Sequence, residues 1–263
     1  MIPKVLHLCW LGGDEYPPLI AKCIGSWKEK CPDYEIKIWN TKTFDITSSI
    51  WVQEAFEKKK YAFAADYIRL WAIYNYGGIY LDSDVEVVKK FDDLLELNSF
   101  MGFTYAADYE PAIIGAVAKQ EWIEKCLRYY IDRHFVKQNG SLDIRPLPEI
   151  IKPILKKEYD LDTNEIWDKI SIVMNGNLKL FPPDYFCPDT IVNGITNNSY
   201  TIHHFSFSWG TPILRYRSKV FKFIVKNRIL FFIYSNTFQR VKKIVKNTFF
   251  KQDYHIFNHH NRK

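Results

Sequence analysis

The stretch that decides the fold is Tyr61-Ala-Phe-Ala-Ala-Asp66-Tyr-Ile-Arg69-Leu-Trp-Ala-Ile-Tyr-Asn-Tyr-Gly77-Gly78-Ile-Tyr-Leu-Asp82-Ser-Asp84-Val-Glu-Val-Val-Lys-Lys-Phe91. It reads as helix, turn, strand, acidic tip and strand. Phe63, Tyr67, Leu70, Trp71 and Tyr74 recur at helical spacing and predict one buried stripe. Gly77-Gly78 ends the helix, because a glycine just past the last periodic residue can take the left-handed conformation a helix C-terminus needs. Ile79-Tyr80-Leu81 is short, apolar and β-prone, so it predicts a buried strand aimed at the acids that follow.

In an extended chain, residues two apart point to one face, so the spacing of Asp82 and Asp84 brings both carboxylates to one site and turns Ser83 away. Two close carboxylates repel unless a cation neutralises them, and hard oxygen ligands suit Mg²⁺ or Mn²⁺. An ion held this way grips phosphate oxygens as well, and open α/β sheets bind ligands at the carboxyl ends of strands. An isolated Asp-x-Asp is most often a pair of solvated loop acids; the apolar strand and the Gly-Gly turn ahead of it set this one apart. Asp66 and Arg69 lie three residues apart on the same side of the helix. As a surface ion pair they would contribute under about 1 kcal/mol. Ala64, Ala65, Ile68 and Ala72 leave the helix apolar on almost every side, however, which predicts that both charges are buried. Buried charges need partners, and sugar hydroxyls with a phosphate would supply them.

Ala65-Asp66-Tyr67-Ile68-Arg69 with Tyr76-Gly77-Gly78-Ile79-Tyr80-Leu81-Asp82-Ser83-Asp84 resembles the signature of the Asp-x-Asp sugar-binding glycosyltransferases, glycosyltransferase family 32. That group includes bacterial capsular polysaccharide transferases, yeast mannosyltransferases and, more distantly, the clostridial glucosylating toxins. The resemblance extends to His7-Leu8-Cys9-Trp10-Leu11-Gly12-Gly13, similar to the family's opening strand, in which the tryptophan stacks on the donor base. It extends also to His203 with Ser208-Trp209, similar to its closing motif. It implies a GT-A-like fold, a single Rossmann-like, mostly parallel twisted sheet flanked by helices. It implies a metal site of Asp82, Asp84 and His203, with His204 the other candidate ligand. Asp82 would also meet the donor ribose, Asp66 and Arg69 would orient the donor sugar, and Ser208 and Trp209 would lie against the donor phosphates. Read by pattern alone, Trp10 is as readily a core residue, and a lone histidine is usually structural. His7, on the opposite face of its strand from Trp10, reads as a satisfied core histidine.

From the N-terminus, the apolar run 4–11 predicts the first strand, closed by Gly12-Gly13. Pro17-Pro18 opens a helix to about Lys30 with Leu19, Cys23 and Trp27 inside, and residues 34–39 alternate as a second strand. Strand, helix and strand at this spacing form a βαβ unit and favour a parallel sheet. Further expectations are a short helix at 92–95, a strand at 99–104 and a helix over 121–135 anchored by Trp122, Leu127, Tyr130 and Ile131. Residues 140–153, rich in proline and charge, read as a loop or short helix near the surface. Short strands follow at 172–174, 178–181 and 185–187, around turns at Asn175-Gly176 and Pro182-Pro183. In the strand near residue 200, His203 and His204 point to opposite faces, so at most one reaches an ion held by Asp82 and Asp84.

With 263 residues and 47% hydrophobic content, the chain suffices for one sizeable domain. Five cysteines without a Cys-x-x-Cys pair predict reduced thiols, and neither a signal peptide nor an apolar run of membrane-spanning length is present, which points to a cytosolic protein. The net charge of +6 is uneven: thirteen Lys and Arg against Asp253 alone give residues 211–263 a charge of +12, leaving −6 on the rest. The expected organisation is a catalytic domain over 1–210 and a basic amphipathic helical tail over 211–263. The tail suits an anionic membrane surface, hence a cytoplasmic protein peripheral on the inner face. No nucleic-acid motif accompanies the charge. The activity expected is a metal-dependent, retaining transfer of a sugar, UDP-sugar favoured, to a glycan or lipid-linked acceptor in bacterial surface polysaccharide synthesis. The alternatives are a non-catalytic nucleotide-sugar or glycan-binding module and a glycosidase. The glycosidase ranks low, because neighbouring carboxylates on one strand cannot flank a sugar from both sides.

Overall fold

The computed structural model describes residues 1–13, 15–189 and 194–206. In chain order its elements are β1 (Val5–Cys9), α1 (Pro18–Lys30), β2 (Glu35–Trp39), α2 (Ile50–Glu57), α3 (Tyr61–Tyr76), β3 (Gly78–Leu81), β4 (Val85–Val87), β5 (Ser99–Phe103) and β6 (Tyr109–Ala116). They continue with α4 (Glu121–Arg128), α5 (Leu147–Tyr159), α6 (Thr163–Ile166), β7 (Ser171–Val173), β8 (Leu178–Phe181), α7 (Pro183–Phe186) and β9 (Thr201–His203). Seven strands form one sheet in the order β2-β1-β3-β6-β5-β8-β7, and β4 pairs with β9 in a separate ribbon. β1 is parallel to β2 and β3, and β5 to β8; β6 is antiparallel to both its neighbours, as β7 is to β8. Five of the seven strands therefore share one direction, and the α/β architecture expected from the alternation of strand and helix is present.

Successive strand residues face opposite sides, so the sheet divides the apolar core in two. Tyr80, Met101, Phe103 and Ile114 join Ala64, Ile68 and Ala72 of α3 on one side. Ile79, Leu81 and Phe100 join Ile20, Ile24 and Trp27 of α1 on the other. α3 is buried more widely than a stripe: Ala64, Ile68, Ala72 and Ile73 are fully enclosed, whereas Tyr67, Trp71 and Tyr74 are only half-buried. In α1 the buried face takes Ile20 and Ile24 with Cys23 and Trp27, and Leu19 sits at its edge. The α3–β3 turn needs its glycines for a stronger reason than the left-handed cap expected. Gly77 has φ 65° and ψ −173°, a region essentially reserved for glycine. At Gly78, with φ 105°, a Cβ would stand 2.7 Å from the Val5 carbonyl oxygen and 2.9 Å from His7 Nε2.

Several elements depart from the sequence reading. β6, buried along its whole length in the middle of the sheet, carries Pro111 and Gly115, which break a β-forming pattern. Its register with β5 shifts between Met101 and Gly102, an irregularity of the kind that accommodates a proline. α4 stops at Arg128 rather than 135; Asp132 takes φ 53°, and Ile131, expected as an anchor, is 66% exposed. Residues 147–159 are helical through Pro153. A proline inside a helix costs roughly 3 kcal/mol, but Leu147, Ile150, Ile151 and Leu155 are buried, each contributing about 1.5–3 kcal/mol. The expected strand at 185–187 is instead helix α7, with Pro183 in its first turn, where the fixed φ and missing N–H of proline cost nothing. All five cysteines are free and buried. Among the described residues no helix is long and apolar enough to cross a membrane. Ser208, Trp209 and the basic tail lie outside the described residues.

Candidate active site

β1 and β3 run parallel with Leu6 opposite Ile79 and His7 opposite Tyr80, so Trp10 and the acidic tip leave the same edge of the sheet. The tip is a turn rather than an extended strand: Val85 N–H donates to the Asp82 carbonyl at 3.0 Å, and Asp82 N–H to the Ala112 carbonyl at 2.8 Å. The two carboxylates converge because the chain folds back between β3 and β4. Val85 then pairs with His203 across the β4–β9 ribbon. The ribbon delivers the histidine to the tip: one oxygen each of Asp82 and Asp84 and a ring nitrogen of His203 lie within 4.8 Å of one another.

Asp84 is the buried member of the cluster. Its Oδ1 lies 3.4 Å from His203 Nε2, and its Oδ2 accepts from Ser206 N–H at 2.8 Å. Burial alone would push the Asp84 carboxyl up; His203 and the Ser206 amide outweigh it and hold the group well below the usual carboxylate range. Burial likewise pulls the His203 imidazole down, but the carboxylates of Glu110 and Asp84 overcome it and raise the ring to about 10. Glu110, on β6, places Oε2 at 3.3 Å from His203 Nδ1, and its Oε1 accepts from Ala112 N–H at 3.2 Å. Both Glu110 Oε2 and His203 Nδ1 are buried without a hydrogen bond among the described residues. The sequence reading missed Glu110 because it missed β6; an acid directly before a proline, ahead of Ile113-Ile114, was the signal available. His204 faces the other way, with Nε2 at 2.8 Å from Glu86 Oε2, and the metal-competent cluster takes His203.

Asp66 and Arg69 are buried, as the composition of α3 predicts. Their partners come from the protein itself. Arg69 Nη2 lies 2.9 Å from Asp66 Oδ1 and 3.1 Å from Asp82 Oδ1. Its Nη1 donates to the Pro111 carbonyl at 2.8 Å, and the guanidinium sits over the Tyr80 ring. Tyr80 Oη donates to Asp82 Oδ1 at 3.0 Å. Two carboxylates share one guanidinium, so burial pushes Asp66 up to about 7 despite Arg69, while Asp82, also raised by burial, keeps Arg69 charged. The Asp82 side chain remains about a quarter exposed and offers the open edge of the cluster.

Trp10 is half-buried, its indole N–H donating to the Gly13 carbonyl and its ring edge-on to Tyr16. Asn40, at the end of β2, accepts from the Lys42 and Thr43 amides and so organises a turn. His7 is the satisfied core histidine expected: its Nε2 faces the Gly77 carbonyl at 2.7 Å, and its Nδ1 accepts from the Trp39 indole at 3.0 Å.

Residues 17–101 match the glycosyltransferase sugar-binding region containing the DXD motif. The DXD segment thus includes Asp66, Arg69, Asp82 and Asp84, while Trp10, Glu110 and His203 lie outside it. The chain is 28% identical over 196 residues to mannosyl phosphorylinositol ceramide synthase SUR1 of Saccharomyces cerevisiae, covering 71% of this chain and 48% of that protein. It is 31% identical over 121 residues to inositol phosphoceramide mannosyltransferase 3 of Schizosaccharomyces pombe, covering 43% of this chain and 33% of that one. The chain therefore spans half or less of the length of these relatives, which are yeast mannosyltransferases rather than bacterial capsular enzymes. Among solved structures, it is similar to the PaToxG glycosyltransferase, with a TM-score of 0.49 and 20% identity, covering 60% of this chain and 69% of that one. It is similar also to a glycosyltransferase involved in glycosylation of the major capsid of PBCV-1, with a TM-score of 0.47 and 13% identity over 82% of this chain and 98% of that one.

Proposed function

We propose that the chain is a divalent-metal-dependent glycosyltransferase that moves a hexosyl group from a nucleotide sugar to a glycan or lipid-linked acceptor. The observation that carries this reading is the convergence of Asp82, Asp84 and His203 within 4.8 Å at the carboxyl edge of the sheet, inside and beside the DXD segment. Two carboxylate oxygens and an imidazole nitrogen fit a divalent ion, and the imidazole favours Mn²⁺ over Mg²⁺. When bound, the cation would neutralise charge building on a leaving diphosphate. Asp84 and His203 would hold it, with Glu110 fixing the imidazole through Nδ1. Asp82, on the open side, is placed to meet both the cation and the donor ribose. Arg69 orients Asp82 and Asp66 through its bonds to both, and Asp66 is assigned to the donor sugar. Trp10 is assigned to the donor base, Ser208 and Trp209 to its phosphates. Retention of anomeric configuration and a UDP donor follow from the family resemblance. The names of the yeast relatives make mannose the first sugar to test, alongside a bacterial surface polysaccharide setting.

The test is a screen of UDP- and GDP-sugars for donor hydrolysis with and without Mn²⁺. Metal-dependent hydrolysis of one donor is expected. Stabilisation against heat by nucleotide and Mn²⁺ with no hydrolysis of any donor would instead identify a binding module. The +12 of residues 211–263 supports peripheral association with an anionic membrane on the cytoplasmic side. Binding to phosphatidylserine vesicles that weakens with salt is expected.

A further inference from the structure

A second concentration of charge lies away from the acidic tip. Between the end of α4 and the start of α5 the chain forms an open cavity of about 850 Å³, lined by Arg128, Arg133, Lys137 and Arg145 against Asp132 and Asp143. Asp143, its side chain 4% exposed, organises two of these cations. Arg145 grips it with Nε to Oδ1 at 3.1 Å and Nη2 to Oδ2 at 2.9 Å, and Arg133 Nη1 reaches Oδ2 at 3.4 Å. Both guanidiniums also lie over the Tyr129 ring, at 4.0 and 5.4 Å, and Arg133 Nε donates to the Tyr129 carbonyl at 2.9 Å.

Asp143, which both guanidiniums bond, holds the pair in fixed orientation, while each side chain keeps more than a third of its surface open to solvent. With Arg128 and Lys137 the lining carries four cations against the carboxylates of Asp132 and Asp143. A guanidinium carries five N–H donors, of which the bonds above use two in each arginine. Paired planar forks match the oxygens of phosphate. The position matters as well. Arg145 stands two residues before Leu147, whose backbone bonds Asp66. Tyr129 precedes Tyr130, whose ring packs edge-on against Tyr67, the neighbour of Asp66 on α3. The two segments that line the cavity thus run on into residues that contact α3.

We propose that this cavity binds a phosphate monoester or diester and, resting on the transferase reading above, that the phosphate belongs to the acceptor. The phosphate is either a lipid headgroup or part of a soluble phosphorylated glycan.

The test uses the full chain labelled with ¹⁵N-arginine and titrated with inorganic phosphate, ionic strength being held constant with chloride. The Nε–H signals of Arg133 and Arg145 should shift saturably. Arg145→Gln should weaken phosphate binding about tenfold or more, the loss of a charge-assisted bond. Lys137→Gln, at an exposed side chain, should weaken it by less and serves if Arg145→Gln fails to fold. Signals that phosphate leaves unmoved, or affinities unchanged in both variants, overturn the proposal. Glycerol phosphate and phosphatidylcholine vesicles with and without phosphatidylinositol are then added as competitors. Displacement by the first identifies a soluble source and by the phosphatidylinositol vesicles alone a headgroup; displacement by neither overturns the assignment to a phosphate ester. Donor hydrolysis by the wild-type chain is measured alongside. Its absence with the phosphate shifts intact defeats the transferase reading and leaves the site standing.

Discussion

His7 and His203 are residues of one type, both withdrawn from water, in opposite surroundings. His7 stands at the α3–β3 turn between a carbonyl and an indole N–H, one acceptor and one donor, which complete a neutral imidazole bond for bond. Burial lowers it to about 4. His203 stands at the other edge of the molecule's β3 strand, beyond the acidic tip, between Asp84 and Glu110, and is raised to about 10. Burial alone therefore does not decide which way a histidine's affinity for a proton moves. The difference is in the neighbours: those of His7 are neutral and satisfied, whereas those of His203 are charged and partly unsatisfied. Incomplete bonding among buried charges is costly unless a ligand completes it.

The largest effect is expected at Asp84. Asp84→Asn removes the charge of a proposed metal ligand and should lower metal-dependent turnover on the order of 10²- to 10³-fold, with the fold intact by circular dichroism. Near-wild-type turnover would sink the metal assignment.

His7 tests the structural side. Its unfolded form takes a proton below about 6.5 and its folded form only below about 4, so between these values the unfolded chain binds more protons. Its contribution is fully present above pH 6.5 and falls away as the pH drops to 4, a loss of about 3 kcal/mol. Urea unfolding across this window should show a weaker pH dependence in His7→Gln than in the wild type; identical slopes would mean that His7 is not the titrating group.

Glu110 sharpens the functional side. Glu110→Gln keeps a group beside His203 Nδ1 but removes its charge, and should weaken Mn²⁺ binding, followed by electron paramagnetic resonance, about 10- to 100-fold. Unchanged affinity would reduce Glu110 to a core residue.

The smallest effect is expected at Trp10, where the contact is made equally in ground and transition states. Trp10→Ala should weaken nucleotide binding by about 1–3 kcal/mol, raising KM with kcat little changed. A folded variant with unaltered nucleotide affinity, measured by titration calorimetry, would return Trp10 to the core.

The sequence by itself determined the α3–turn–β3–tip unit, because each step there is local: helical period, two glycines, three apolar β-formers, two acids. It determined as well that Asp66 and Arg69 are buried, since their helix is apolar nearly all round. Four things were decided only by tertiary structure. The tip is a turn, since the β4–β9 ribbon folds the chain back. β6 is the central antiparallel strand although Pro111 and Gly115 mask its pattern, because burial between β3 and β5 and a shifted register override local propensity. Residues 147–159 stay helical through Pro153 because four apolar side chains reach the core. Glu110 meets His203 across 93 positions of sequence, a distance at which no local spacing rule operates and only the packing of β6 against the ribbon brings carboxylate and imidazole together.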